Sequence, residues 1–203
     1  MGIGGLRSCT PDTPWMPYEE VNSDGKRVLS RTENFANSHA GFDGFLRGQR
    51  AMSVLQQLAG EEMILFKEKI NHKLAGSANG GLEVVDGCYR MDIPLGSDWC
   101  IEPTWVKMSI WTPAELESGD ILIFGSYLAH RSGANTSPKD RRAIYATYNC
   151  AAEGSLHDQY CLDRQKLWPA THMQKEGESY EEGRARYAFG SPMLTVDSKA
   201  IPA

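Results

Sequence analysis

The sequence has no long apolar run. Nothing in it approaches the roughly 18 consecutive apolar residues that cross a bilayer, so no membrane-spanning helix is expected. It has no excess of basic residues: 21 Lys and Arg stand against 26 Asp and Glu, a formal net charge of −5. That balance gives the chain no electrostatic reason to seek nucleic acid or an anionic membrane surface. Five cysteines are present, Cys9, Cys88, Cys100, Cys150 and Cys161, and none forms a CxxC pair. An odd count at such spacing argues against a disulfide framework and a structural zinc site. The start, MGIGGLRSCTPDTPW, lacks the apolar core of a secretory signal, and Leu6 stands where a myristoylation signal needs Ser or Thr. These absences point to a cytoplasmic protein with reduced thiols.

What is present fits one domain of ordinary size, residues 1–203, with 41% hydrophobic and 23% charged residues. Residues 1–20 are rich in Gly, Pro and Thr and read as loop. Over 44–58, Phe45, Leu46, Met52, Val54, Leu55 and Leu58 recur near helical spacing, and Gly60 ends the pattern. The period then changes to two. In FKEKINHKL, Phe66, Glu68, Ile70, His72 and Leu74 alternate with Lys67, Lys69, Asn71 and Lys73, the mark of a strand with one largely polar face. Further short strands are expected at 81–87, 109–113, 120–126 (DILIFGS, apolar enough for burial on both sides) and 142–149. A helix is expected at 158–168, followed by a polar, Glu-rich tail outside the core. Mostly short strands with flanking helices describe an antiparallel sandwich or jelly roll.

The chemistry concentrates between Gly119 and Asn149, GDILIFGSYLAHRSGANTSPKDRRAIYATYN. His130 follows the DILIF stretch, and Arg141 lies eleven residues later, after the loop SGANTSPKD. A histidine mounted on a rigid strand suits a non-haem iron site, which uses two histidines and one carboxylate on one face. An arginine offers a planar fork for a carboxylate, and Arg142 is the obvious competitor for that role. Tyr145, Tyr148 and Asn149 are candidates for pocket lining or core, and Trp99, Trp105 and Trp111 for packing.

The succession GDxLxF, then HRSGxNxS, then RRAxYxTYN resembles the phytanoyl-CoA dioxygenase-like branch of the iron(II)/2-oxoglutarate oxygenases. FKEKINHKL (66–74), GGLEVVDG (80–87) and WTPAELESGD (111–120) resemble the same family in the same order. The resemblance covers roughly residues 15–170. It implies a double-stranded β-helix (a mainly β jelly roll with flanking helices), Fe(II), 2-oxoglutarate as cosubstrate, and O2-dependent oxidation of a small molecule. It makes His130 the distal metal ligand and Arg141 the partner of the 2-oxoglutarate C5 carboxylate.

The family draws its other two iron ligands from a His-x-Asp or His-x-Glu motif. None of the five histidines here is followed two residues later by Asp or Glu. His157 and Asp158 are adjacent, and on a strand they would point apart. LAGSA (74–78) runs directly into NGGLEVV. An internal deletion between Ser77 and Asn79 accounts for this. Its extent is on the order of 30 residues, a strand or two with their loops. The jelly roll is then incomplete, the N-terminal part short and the oxygenase activity of this chain in doubt. The alternative is a catalytically inactive form that binds a small acid or a partner. His72 and Glu68, on one strand face, are the residues from which a substitute ligand set would have to come.

Overall fold

The alternation in residues 63–73 builds the central strand of the larger sheet. A computed structural model describes residues 6, 10, 12–21, 25–74, 81–97, 100–132, 135 and 137–187. The chain divides into two compact units, residues 1–72 with 141–203, and residues 73–140.

In the first unit, β1 (Met16–Val21), β2 (Arg27–Glu33), β3 (Met63–Lys73) and β7 (Arg141–Cys150) form a sheet in the order β1-β2-β3-β7. β1 and β2 are antiparallel, as are β2 and β3, with Arg31 opposite Asn71 and Glu33 opposite Lys69. Glu68, Ile70 and His72 are buried on one face of β3, as the period of two predicts. Phe35, Ala36, Leu46, Leu65 and Ile70 make the core there. The 1–20 stretch, expected as loop, carries β1, and β2 was not expected at all. Pro17 is tolerated because β1 is an edge strand.

The helix expected over 44–58 is two helices, α1 (Ala40–Leu46) and α2 (Gln49–Ala59). Gly48 caps the second in an extended conformation. A Cβ at Gly48 would lie 2.0 Å from the carbonyl oxygen of Gly44, so only glycine fits the break. Gly60 closes α2 at φ 77°, a left-handed C-cap.

The second helical layer is α4 (His157–Leu167), where the sequence places it, and α5 (Glu181–Tyr187). The tail is less peripheral than its composition suggests. Trp168 and Ala170 are buried with Met16 and Tyr18, and Tyr180 and Tyr187 pack against them. Arg164 of α4 is almost wholly buried. Its guanidinium lies 4.8 Å from the ring centre of Tyr18, 4.6 Å from Trp168 and 5.1 Å from Tyr187. It pairs with Glu33, to which Arg31 also donates at 3.2 Å.

The second unit holds β4 (Leu82–Val84), α3 (Pro103–Met108), β5 (Thr112–Ala114) and β6 (His130–Ser132), with antiparallel strands in the order β5-β4-β6. Its core is small: Val85, Cys88 and Ala129, with Trp105 and Trp111 among the side chains packed on it. Trp99 and the 77–79 junction lie outside the described residues.

The chief departure is DILIFGS. Residues 121–125 form no strand, and Ile121, Leu122, Ile123 and Phe124 are 68%, 39%, 44% and 38% exposed. An apolar run becomes a strand only when a neighbour takes its backbone hydrogen bonds. Among the described residues no strand pairs with it.

Truncating Arg164 would leave Glu33 buried with half its partners and empty the aromatic cage. Arg164→Leu is expected to lower the unfolding free energy by about 3 kcal/mol, measured by urea denaturation. A change below the error of that measurement would show that the cage carries no stability.

Candidate functional site

His130 opens β6 and lies opposite Val84 of β4. Its side chain is solvent-exposed. The ring stands 5.3 Å from that of Phe124, and Nδ1 donates to the Leu128 carbonyl at 2.9 Å. A carbonyl only accepts, so the proton of the neutral ring sits on Nδ1 and the lone pair on Nε2. That is the tautomer a metal-ligating histidine uses when a backbone carbonyl orients it. His130 therefore fits one metal ligand. Next to it, Arg131 donates to Glu83 at 2.7 Å and stacks over Trp111 at 4.3 Å, which holds the β6–β4 pairing.

Arg141 is the first residue of β7, and both Arg141 and Arg142 are solvent-exposed. Arg141 acts on Tyr145, whose hydroxyl burial pushes to a higher pKa and Arg141 pulls back. His130 belongs to the second unit and Arg141 to the first, and each is described in its own unit.

The candidates for a substitute iron set are occupied otherwise. Glu68 accepts from the Ala36 backbone N–H at 2.8 Å, and its other oxygen lies 2.7 Å from His157 Nε2. His72 Nε2 sits 3.2 Å from the Thr32 hydroxyl. Both face the core, so the pair is structural. Among the described residues no group of three His, Cys, Asp or Glu side chains could hold a metal ion. One suitable histidine does not make a two-histidine-one-carboxylate site, and the donor set of this chain does not fit Fe(II) in the family's manner.

Sequence reasoning missed two arrangements. The first is the buried chain Glu68–His157–Asp158. His157 and Asp158 lie at the start of a helix, not on a strand, and His157 Nδ1 reaches Asp158 Oδ1 at 3.1 Å. Burial opposes the charged ring, but hydrogen bonds to Glu68 and Asp158 outweigh it and the pKa rises. The second lies on the polar face of β3. Burial, reinforced by Arg31, drives the Lys69 ammonium down to about 7, and burial lowers Lys67 as well. The alternation in the sequence marks this face, but the cations that crowd it come from β2 and α4. Of the remaining candidates, Tyr148 packs on the core and donates to the Leu46 carbonyl at 2.9 Å, while Asn149 donates to the Cys150 and Gly154 carbonyls. Both are structural.

The comparisons agree with this anatomy. Residues 75–143 match the family model for phytanoyl-CoA dioxygenase (PhyH). The chain is 33% identical to the 2-aminoethylphosphonate dioxygenase of an uncultured bacterium, HF130_AEPn_1, over 88% of its own length and 81% of that protein. The chain belongs to the phytanoyl-CoA dioxygenase family. It is also 30% identical to the methylphosphonate hydroxylase of Gimesia maris, over 76% of its length and 71% of that protein. The crystal structure of AviO1 from Streptomyces viridochromogenes Tue57 superposes with a TM-score of 0.55 at 19% identity, covering 74% of this chain and 77% of that one. That likeness shows the fold, in keeping with mostly antiparallel sheets of a jelly-roll type.

The aligned lengths carry one more fact. The match to the aminoethylphosphonate enzyme spans 213 positions, but 88% of 203 residues is only about 179, so about 34 positions face gaps in this chain. For the methylphosphonate enzyme the span is 186 and 76% of this chain is about 154, again a shortfall of about 32.

The His157 pair makes stability depend on pH with a definite sign. A histidine whose folded pKa is raised adds stability that is complete below its unfolded value, near 6.5, and is lost as pH rises through the folded value. The melting temperature is therefore expected to fall as pH is raised from about 6 through that range. His157→Gln should flatten the slope and cost about 3 kcal/mol, because Glu68 is left buried without its cation. A slope unchanged in the variant would remove His157 as its source.

Proposed function

We propose that this chain derives from an Fe(II)/2-oxoglutarate-dependent hydroxylase of small phosphonates. In its present form it keeps the sites for small acids and has lost turnover. The observation that carries this is the ligand count: His130 fits as one metal ligand, and no His-x-Asp or His-x-Glu exists in the sequence. The shortfall of about 30 positions against two relatives, and the abrupt passage from LAGSA to NGGLEVV, support a deletion between Ser77 and Asn79 as the cause. Residues 1–203 are then one oxygenase domain with an internal gap. Iron with 2-oxoglutarate and O2 supplies the oxidant in such enzymes. The residues of this chain contribute binding: Arg141 pairs with the 2-oxoglutarate C5 carboxylate, and His130 presents Nε2. Two relatives named for phosphonate substrates support a phosphonate as the small molecule.

The arginine assignment separates neighbours. Arg141→Ala is expected to weaken 2-oxoglutarate binding by about 2–5 kcal/mol, and Arg142→Ala to leave it within error, by calorimetry. Equal losses would overturn the assignment.

The loss of turnover is tested by succinate formation with added Fe(II), ascorbate and 2-oxoglutarate. The chain as it stands should form little or none above the protein-free control. A version with the corresponding segment of the aminoethylphosphonate relative inserted after Ser77 should form succinate in an iron-dependent way. Comparable iron-dependent succinate from both proteins would refute the proposal.

A further inference from the structure

On β3, Lys67 and Lys69 project from the face opposite to Glu68, Ile70 and His72. The register with β2 puts Glu33 opposite Lys69 and Arg31 opposite Asn71, and residues directly opposite in a sheet share a face. Arg164 reaches the same carboxylate from α4. Four cations, Arg31, Arg164, Lys67 and Lys69, thus act on one another around Glu33, the single carboxylate among the charged groups that act on either lysine. Glu33 is already taken. Its Oε1 accepts from Arg31 at 3.2 Å and from Arg164 at 2.9 Å, and Oε2 pairs with Arg164 Nε. The lysines lean on aromatic faces instead. Lys67 Nζ lies 5.5 Å from the ring centre of Tyr160 and 6.0 Å from Phe66, and Lys69 Nζ lies 5.2 Å from Tyr145.

Holding two half-buried ammonium groups beside two buried guanidiniums costs free energy. The lowered pKa values of both lysines express that cost. A bound anion would relieve it. Two ammonium groups two residues apart on a strand stand about 7 Å apart at their Cα atoms, close enough for flexible stems to converge on one small anion. Lysine binds phosphate-like groups as a point charge, without the planar demand of an arginine fork. A dianionic tetrahedral group gains more from two such charges than a carboxylate does.

We infer that Lys67 and Lys69 form the seat for the phosphonate head of the small molecule, separate from the carboxylate role given to Arg141. This rests on the phosphonate reading above, and the experiment keeps the two apart. Binding of methylphosphonate and 2-aminoethylphosphonate is measured by calorimetry and by 31P line broadening, with acetate and ethanolamine as the carboxylate and uncharged-head counterparts. The full chain is compared with Lys67→Met, Lys69→Met, Lys67→Arg and the exposed control Lys166→Met, each checked for folding by circular dichroism. Both phosphonates should bind and the two counterparts should not. Lys67→Met and Lys69→Met should each weaken binding at least about tenfold, Lys67→Arg should restore most of it, and Lys166→Met should change it less than twofold. Phosphonate binding that survives both methionine variants would overturn the seat and leave the phosphonate reading standing. Failure of the unaltered chain to bind either phosphonate would overturn both. If the Met variants lose 2-oxoglutarate as strongly as phosphonate, the lysines serve the cosubstrate and the inference is wrong.

Discussion

The Glu33 carboxylate receives Arg164 from a helix 131 residues later in the chain, and that contact organises the first unit. A buried carboxylate needs cations and hydrogen bonds to remain charged away from water. Glu33 takes both from Arg31 and Arg164. Arg164 in turn needs flat, electron-rich surfaces around its carbon stem and fork, and finds them in Tyr18, Trp168 and Tyr187. The Tyr18 hydroxyl donates to the Trp168 carbonyl at 2.9 Å, closing the loop between β1 and the end of α4. Gly183 lets α5 approach the last turn of α4, since a Cβ there would lie 2.1 Å from the Leu167 carbonyl oxygen. The same arrangement leaves the polar face of β3 rich in positive charge, because the one acid near it is spent on the arginines. Packing and recognition thus share an origin.

Some of this was legible in the sequence. The period of two over 66–74 gave a strand whose buried and polar faces are those observed. RRAIYATYNC and HDQYCLDRQKL gave a strand and a helix within a residue or two of their ends. β1 and β2 were not legible: MPYEEV and RVLSRTE carry charged residues whose burial depends on partners far along the chain, such as Arg164 for Glu33. The break at Gly48 was hidden because the apolar spacing runs through it. DILIF misled for the opposite reason. Its composition states a preference for burial, but strand formation also needs a neighbour.

The candidate site divides along the same line. His130 and Arg141 stood out because each lies in a contiguous motif. The Glu68–His157 pair joins residues 89 apart, and nothing local to either predicts it. The crowding of Lys67 and Lys69 required knowledge of what lies across from β3. Metal-ligating pairs at His-x-Asp spacing are local features, so the sequence is a good witness to their loss. A long-range ion cluster has no comparable local trace.

The exposed row Ile121–Phe124 has a consequence beyond this domain's own chemistry. Four consecutive apolar side chains in an extended, unpaired segment resemble a newly made chain more than a finished surface. Holdase chaperones recognise that signature, and any partner that binds the open form draws the folding equilibrium toward it by mass action. The working lifetime of this protein in a cell therefore depends on the concentration of its chaperones and proteases as well as on its own folding free energy.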